Sequence, residues 1–264
     1  MRLSRFVTLA AGALTLAACG GDNVFDPSSP PVASVRFINA VADTGSLDIT
    51  MIDQIEYSAK ALNLAFRAGT IYWPTEAKSR HIRVFPTSRT IGVTSGVLLD
   101  TQVDITANTR VTLLLTGSAR AGTLKFVTID DGPTAPAAGQ IGVRFVNASG
   151  APVDAYLVTT TADALPTSPF AANVGSNGVS TYSGRATGAA AVRATDAGNR
   201  VVINASQAGP TAPAAIPGAL PAAGVGSAGT AFSVYYFPRG VLGSPQNALA
   251  TPAMVWFVDR NPAD

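Results

Sequence analysis

Short runs of alternating apolar and polar residues make up most of this chain. In one run Val111, Leu113 and Leu115 fall on one face, and Thr112 lies on the other. Residues 232–236 alternate in the same way. A period of two residues is typical of a β-strand with one buried face. Because Gly, Pro, Asn and Asp separate the runs, as they separate strands, the pattern predicts an all-β protein.

The order of these strand-like runs is repeated within the chain. The hexapeptide VRFINA at residues 35–40 returns as VRFVNA at residues 143–148, which is an offset of 108 residues. Residues 109–115 correspond to residues 230–236, where the offset has grown to 121. The two halves therefore form an internal repeat, and the growing offset places an insertion in the second copy at about residues 204–229.

Repeat length and strand count together suggest the architecture. Repeat 1 spans residues 34–132, a linker spans 133–140, and repeat 2 spans 141–264. Each repeat holds about seven strand candidates, which favours an immunoglobulin-like β-sandwich. A small β-barrel is the alternative. We therefore predict two tandem immunoglobulin-like β-sandwich domains.

Two segments do not follow the strand pattern. Residues 56–66 carry an approximate apolar stripe and could form a short helix or a loop that leads into a strand. Residues 204–229 are uncharged and rich in Pro, Gly and Ala. The prolines exclude a regular membrane helix. This segment either is a mobile surface loop or packs on the sheets, and we favour the mobile loop.

The repeated motifs resemble a known family. VRFINA…LDI at residues 35–49 and VRFVNAS…VDAYLV at residues 143–158 are similar to the opening strands of the domain of unknown function DUF4397. Residues 34–140 follow the course of that family well, and residues 141–264 less well. The resemblance implies an exported bacterial protein with tandem β-sandwich units. It implies no catalytic residues.

The first residues have the three parts of a secretory signal. Arg2 and Arg5 give a positive start, residues 6–18 are uncharged and mainly apolar, and small residues then precede Cys19. The apolar run is shorter than the roughly 20 residues that span a bilayer. We predict that residues 1–18 are a signal peptide.

Residues 16–19, Leu-Ala-Ala-Cys, resemble the lipobox of bacterial lipoproteins. In that family the cysteine receives lipid, and cleavage occurs directly before it. Cys19 is the only cysteine of the chain, so it has no partner for an internal disulfide. The Gly/Ser/Asp/Pro-rich residues 19–33 then form the lipidated cysteine and a flexible tether. Since Gly20 and not an acid follows Cys19, the resemblance implies anchoring in the outer membrane, on its periplasmic face or at the cell surface.

Charge excludes one class of function. Without residues 1–18 the chain has 16 basic and 16 acidic residues, because the signal holds two of the 18 Lys and Arg and none of the acids. Nucleic-acid binding needs a basic surface to neutralise phosphates. We therefore expect no nucleic-acid partner. The expected partners are the membrane, through lipid on Cys19, and envelope proteins or glycans.

The side chains that carry catalysis are scarce. His81 is the only histidine, and it begins a predicted strand without a nucleophile motif beside it. Asp43-Thr44-Gly45 matches the aspartic-protease triplet superficially, but residues 149–152 of the second copy hold no second aspartate. We interpret the triplet as a turn. We therefore predict no catalytic residue, no cofactor and no metal site.

Three further sets of residues have competing readings. Asp130 and Asp131 could contribute to a calcium site, but a turn is favoured. Asp48 and Asp154 recur in both copies, which indicates a role in the fold. The aromatic residues near the C-terminus fit packing better than a binding platform; they are Tyr235, Tyr236, Phe237, Trp256 and Phe257.

These observations lead to one expected function and two alternatives. The expected function is a membrane-anchored envelope lipoprotein that is a non-enzymatic binding module or a structural spacer. One alternative is a carbohydrate-binding surface module with an exposed row of aromatic residues. The other alternative is an envelope hydrolase with its site between the two domains.

The lipobox leads to a direct prediction for Cys19. Mass spectrometry of the native protein is expected to show an acylated Cys19 at the N-terminus. Cys19→Ala is expected to yield unprocessed or released protein, since it removes the thiol that carries the lipid. Normal maturation and membrane retention of Cys19→Ala would contradict the prediction.

Overall fold

The fold is known from a computed structural model that describes residues 30–53, 61–90, 96–132, 135–214 and 219–264. Cys19, the predicted signal and most of the predicted tether lie outside these residues. The described residues form sixteen β-strands and no helix, so none of them form a helix that could cross a membrane. The first eight strands are β1 Val32–Asn39, β2 Leu47–Met51, β3 Ala61–Leu64, β4 Trp73–Glu76, β5 Ser79–Pro86, β6 Leu99–Asp104, β7 Arg110–Thr116 and β8 Lys125–Asp130.

The second eight strands follow in the same order. They are β9 Gln140–Asn147, β10 Val153–Val158, β11 Ala171–Val174, β12 Ser183–Ala186, β13 Ala191–Asp196, β14 Ala205–Ala208, β15 Ala231–Phe237 and β16 Ala253–Arg260.

Each set of eight strands forms two four-stranded sheets. In the first set the outer sheet has the order β3-β2-β5-β6, and the inner sheet has the order β4-β1-β7-β8. The second set repeats this as β11-β10-β13-β14 and β12-β9-β15-β16. Strands β1 and β7 pair in parallel, as do β9 and β15, and the other pairs are antiparallel. The predicted all-β fold with two β-sandwiches is confirmed, and each sandwich has eight strands.

Each sandwich has a hydrophobic core between its two sheets. In the first, Phe37 and Leu113 of the inner sheet meet Ile49 and Ile82 of the outer sheet. In the second, Phe145 and Val192 belong to the equivalent core. The alternation in the sequence therefore marks the core-facing positions correctly.

A third apolar layer lies between the two inner sheets. It contains the residues that alternate with the core positions, among them Ile38, Leu114, Val146 and Tyr235. The inner sheets are thus buried on both faces, which explains why their strands are almost continuously apolar. Gly69 faces this layer, where a Cβ atom would lie 2.7 Å from the Phe257 ring, so that only glycine fits.

The C-terminal aromatic residues divide between these layers. Tyr235 and Phe237 are fully buried between the sandwiches, and Phe257 meets the Tyr235 ring edge-on at 5.3 Å. Tyr236 and Trp256 belong to the second core or pack against it. The structure confirms that these residues pack inside the protein.

The predicted segment bounds need small corrections. Strand β1 begins at Val32, so the last two residues of the predicted 19–33 tether belong to a sheet. Strand β9 begins at Gln140, inside the predicted 133–140 linker. In both cases pairing with a neighbouring strand extends the sheet beyond the apolar run. The division into two domains stays a prediction, since residues 31–264 form one compact unit.

The two irregular segments are also more ordered than predicted. Residues 61–64 of the helix candidate form β3, and residues 56–60 lie outside the described residues. In the Pro/Gly/Ala-rich segment, residues 205–208 form β14 and Val225 is buried in the second core. Residues 205–208 and Val225 therefore pack on the sheets, and the expectation of a mobile loop is wrong for these residues, whereas Leu220 of the same segment is 79% exposed.

Candidate functional site

A buried polar cluster interrupts the apolar layer between the inner sheets. Arg36 on β1 and Arg144 on β9 occupy the same position of the repeated hexapeptide. Each side chain points out of its own sandwich and reaches a carboxylate of the other. Arg36 donates to Asp259 at 2.5 Å, and Arg144 donates to Asp131. We call this set, together with the hydroxyl residues described next, the paired Arg–Asp network.

Hydroxyl groups complete the network in the same way on both sides. Arg36 Nε donates to Thr112 Oγ1 at 2.6 Å, and Arg144 Nε donates to Ser233 Oγ at 2.6 Å. Each of these hydroxyls then donates to the aspartate of its own sandwich, Thr112 to Asp131 and Ser233 to Asp259. The network therefore has approximate twofold symmetry, and each of its arginine, aspartate and hydroxyl groups has at least two hydrogen-bond partners.

Two tyrosines close the network at its edges. Tyr72 donates to Asp131 at 2.9 Å and Tyr182 donates to Asp259 at 2.7 Å. Each ring also lies 4.7 Å from the guanidinium of its own sandwich, in cation–π geometry. Burial raises the pKa of both phenols, and the neighbouring carboxylates raise it further. The phenols therefore stay protonated and act as donors.

The charges in the network balance. Burial by itself would lower the pKa of Arg36, but the nearby Asp259 carboxylate reverses this effect and the pKa lies above its ordinary value. Burial raises the pKa of Asp131, and Arg36 is the main influence that opposes it. Two cations and two anions thus compensate each other among buried side chains. Each of these groups is held by hydrogen bonds or ion pairs, so the arrangement links the two sandwiches to each other.

The sequence reasoning missed this network. A charged residue at the centre of an apolar hexapeptide, repeated in both copies, was the available signal. Asp131 had been weighed only as a calcium ligand or a turn residue. In the structure Asp131 is fully buried in the network, while Asp130 accepts from the Gly132 amide at 2.9 Å as a turn residue does. No group of three metal-ligating side chains occurs in the part of the chain that the structure describes.

The remaining predicted positions have structural partners. His81 lies on the outer face of β5, is 36% exposed, and contacts Asp100, which also accepts from Arg83 at 2.7 Å. Among the described residues His81 therefore has a carboxylate neighbour but no nucleophile in contact.

The repeated aspartates have the predicted fold role. Asp48 accepts from the Asn63 amide at 2.7 Å, and Asp154 accepts from the Asn173 amide at 2.6 Å. Asn63 and Asn173 both have positive φ, at 52° and 47°. Each aspartate thus fixes the same left-handed backbone turn in its own sandwich.

Asp43, from the protease-like triplet, is buried and holds a neighbouring turn. Its carboxylate accepts from Ser118 Oγ at 2.5 Å and from the amides of Ala119 and Arg120 at 3.0 Å each. Although burial acts to raise the pKa of Asp43, these hydrogen bonds outweigh it and lower the pKa below its ordinary value. Residues 43–45 lie in the connection between β1 and β2, as the interpretation of a turn between strands requires, but the contact of the Asp43 carboxylate with residues 118–120 was not predicted.

Comparisons with known proteins identify part of the chain. Residues 33–156 match the model of a family described as a domain of unknown function, DUF4397. This stretch covers the first sandwich, β9 and most of β10, and there the resemblance drawn from the motifs is confirmed. No curated protein matches the chain.

Two solved structures are distantly similar. One is a family 26 carbohydrate-binding module from Eubacterium rectale Amy13K in complex with maltoheptaose; it is 9% identical, with 86% of this chain and 96% of that chain covered and a TM-score of 0.24. The other is a family 41 carbohydrate-binding module from streptococcal virulence factors, in a study of α-glucan recognition. It is 9% identical, with 67% and 86% covered and a TM-score of 0.22.

The network predicts a large cost for breaking one ion pair. In the soluble chain (residues 19–264 with Cys19→Ser), Arg36→Met is expected to lower the free energy of unfolding by about 3–5 kcal/mol, because Asp259 is left buried without its cation. The double variant Arg36→Met/Asp259→Asn is expected to recover much of this loss. Urea denaturation measures both.

Arg83→Met is the matched control for this experiment. Its ion pair with Asp100 is well exposed, so the expected cost is at most about 1 kcal/mol. An equal cost for Arg36→Met and Arg83→Met would contradict the structural role of the network.

The hydrogen bonds of the Asp43 carboxylate are expected to add to the free energy of unfolding at neutral pH and to lose this contribution in acid. Its folded pKa lies below the unfolded value of 3.8, so the stabilisation is complete above that value and is lost as the pH falls through the folded pKa. Asp43→Asn is expected to cost about 1–3 kcal/mol at pH 7, and the difference from the parent should shrink below about pH 4. Asp104→Asn is the control, because the Asp104 side chain is exposed and forms no hydrogen bond with the residues that the structure describes. A difference that does not change with pH would argue against this contribution.

Proposed function

We propose that this protein is a non-enzymatic binding or spacer module of the cell envelope, anchored in the membrane through lipid on Cys19. The observation that carries the proposal is the paired Arg–Asp network, which joins two sandwiches into one compact unit. The arginine and aspartate side chains of the network all form ion pairs between the two sandwiches. A stiff body of this kind suits a spacer or a display platform better than it suits catalysis.

The position of the chain entry supports the same function. The chain enters the body at Val32, the first residue of β1. Strand β1 then runs to Asn39, so residues 40–46 lie at the opposite end of the sandwich. We call this opposite end the distal end. An anchor on Cys19 would join the body at Val32 and leave the distal end free for a partner.

The hydrolase and the flat carbohydrate-binding platform have less support. A hydrolase with its site between the sandwiches would need an activated side chain there, and the side chains of the paired network are already bound to one another. A flat row of exposed aromatic residues would favour a carbohydrate-binding platform. Among the described tryptophan and phenylalanine side chains, only Trp73 is exposed, at 43%. A single exposed ring does not form a row.

A substrate screen tests the non-enzymatic assignment. The soluble chain is expected to show only background activity on ester, glycoside and peptide substrates, with His81→Ala indistinguishable from the parent. Since His81 is the single histidine of the chain, the variant is an informative control. Activity that His81→Ala abolishes would replace the proposal with the hydrolase alternative.

A further inference from the structure

One departure from the approximate symmetry of the protein concerns a single pair of equivalent residues. Arg67 and Asn177 are equivalent residues, since their amides donate to the carbonyl oxygens of Asn39 and Asn147, at 2.8 and 2.7 Å. Both have positive φ, at 68° and 57°. The long side chain is present in the first sandwich only.

Arg67 fills the space between the sandwiches on its own side. Its Nη2 atom donates to the carbonyls of Pro238 and Thr251, each at 2.6 Å, in the loop that joins β15 and β16. Its guanidinium also lies 4.9 Å from the Phe66 ring. This side is therefore closed by a cation that binds two backbone carbonyls.

The equivalent space on the other side is open. Gly117 directly follows β7, as Pro238 follows β15, and Thr123 precedes β8 by two residues, as Thr251 precedes β16. Gly117 and Thr123 line a cleft of about 400 Å³ together with Asn177. We call it the distal cleft. It exists because Asn177 is shorter than Arg67 and because the connection between β7 and β8, residues 117–124, is shorter than residues 238–252.

The lining of the distal cleft is polar, with an apolar floor. Ala40 and Ala148, both buried, form part of the floor. Asn177 Oδ1 is buried and accepts no hydrogen bond. Lys125 is exposed and forms no ion pair with any residue that the structure describes. The Ser149 hydroxyl donates to Asn147 Oδ1 at 2.7 Å, so it can offer a ligand only its oxygen as an acceptor, and Thr116 adds a largely buried hydroxyl group.

We propose that the distal cleft binds a hydroxylated small molecule of the sugar or polyol class, neutral or acidic. An amide oxygen without a donor is costly, and rotation of the Asn177 amide toward the cleft would let a ligand hydroxyl satisfy it. The same ligand can accept hydrogen bonds from the Lys125 ammonium, since hydroxyl groups both donate and accept. Lys125 is the single charged lining residue, so a cationic ligand is repelled. The volume lies within the range of small-molecule sites.

The test fills the cleft by placing at position 177 the arginine that the equivalent position 67 already carries. Asn177→Arg places an arginine where the backbone has positive φ, which Arg67 shows to be tolerated. Asn108→Arg is the matched control, because Asn108 is exposed, has φ 60°, and lies near Val32 at the other end of the body. The probes are glucose, galactose, N-acetylglucosamine, glucuronate and arginine methyl ester, added to the soluble full chain and measured by ligand-detected NMR.

At least one sugar is expected to bind the parent and Asn108→Arg equally, and to bind Asn177→Arg about tenfold more weakly or worse, the loss of roughly one hydrogen bond to a buried group. If Asn177→Arg does not fold, Lys125→Met serves instead and should weaken glucuronate more than glucose. The proposal is overturned if no sugar binds, if binding survives Asn177→Arg, or if only the cationic probe binds.

This inference rests on the proposed binding function, and the two fail in different ways. Absence of sugar binding would remove the distal cleft as a site and leave the lipid anchor and the substrate screen unaffected. Turnover of a bound sugar would contradict the non-enzymatic function and leave the cleft as the site.

Discussion

Reciprocal pairing of Arg36 with Asp259 and of Arg144 with Asp131 is the constraint on which the rest of the structure depends. Each cation belongs to one sandwich and its anion to the other, so neither half can bury its inner sheet alone without leaving an uncompensated charge. The surrounding apolar layer supplies the contact area, whereas the network fixes how the two inner sheets align. A shifted alignment would break both ion pairs together with the hydrogen bonds from Arg36 to the Val258 carbonyl and from Arg144 to the Asp130 carbonyl.

The strands of the inner sheets show how burial on both faces changes a sequence. Leu113 faces the first core and Leu114 faces the second sandwich, so β7 loses the clean alternation that β6 keeps. The alternation in the sequence was therefore sufficient to predict strands and the core-facing residues, but could not show that the opposite face is also covered. Arg36 lies in such a strand and pairs with a carboxylate 223 residues away. The repeated arginine marks the position in the sequence, but the sequence does not show its partner.

The same contrast explains which functional positions were predictable. The fold role of Asp48 and Asp154 was predictable because both residues recur in the two copies, although their partners lie 15 and 19 residues away. The partners of Asp43 lie 76 and 77 residues away and gave no local signal. Asp131 was not predictable, since its neighbours in sequence suggest a turn and its partners come from both sandwiches. The distal cleft was equally hidden. It depends on the difference between Arg67 and Asn177, whose equivalence appears only when the two backbones are compared.

Differences between the two copies therefore carry more functional information than their similarities. The shared residues build the sandwiches and the interface. The additional residues of the second copy have separate tasks: Val225 of the 209–230 connection enters its own core, while the 238–252 loop packs on the first sandwich through Arg67 and through a hydrogen bond from the Val241 amide to the Ala42 carbonyl at 3.0 Å. Since the first copy has no loop of equal length to return that contact, the interface closes on one side and opens on the other. A duplicated fold with a symmetric interface would have had the same closure on both sides, whereas the unequal loop lengths leave the distal cleft open, where we propose that a ligand binds.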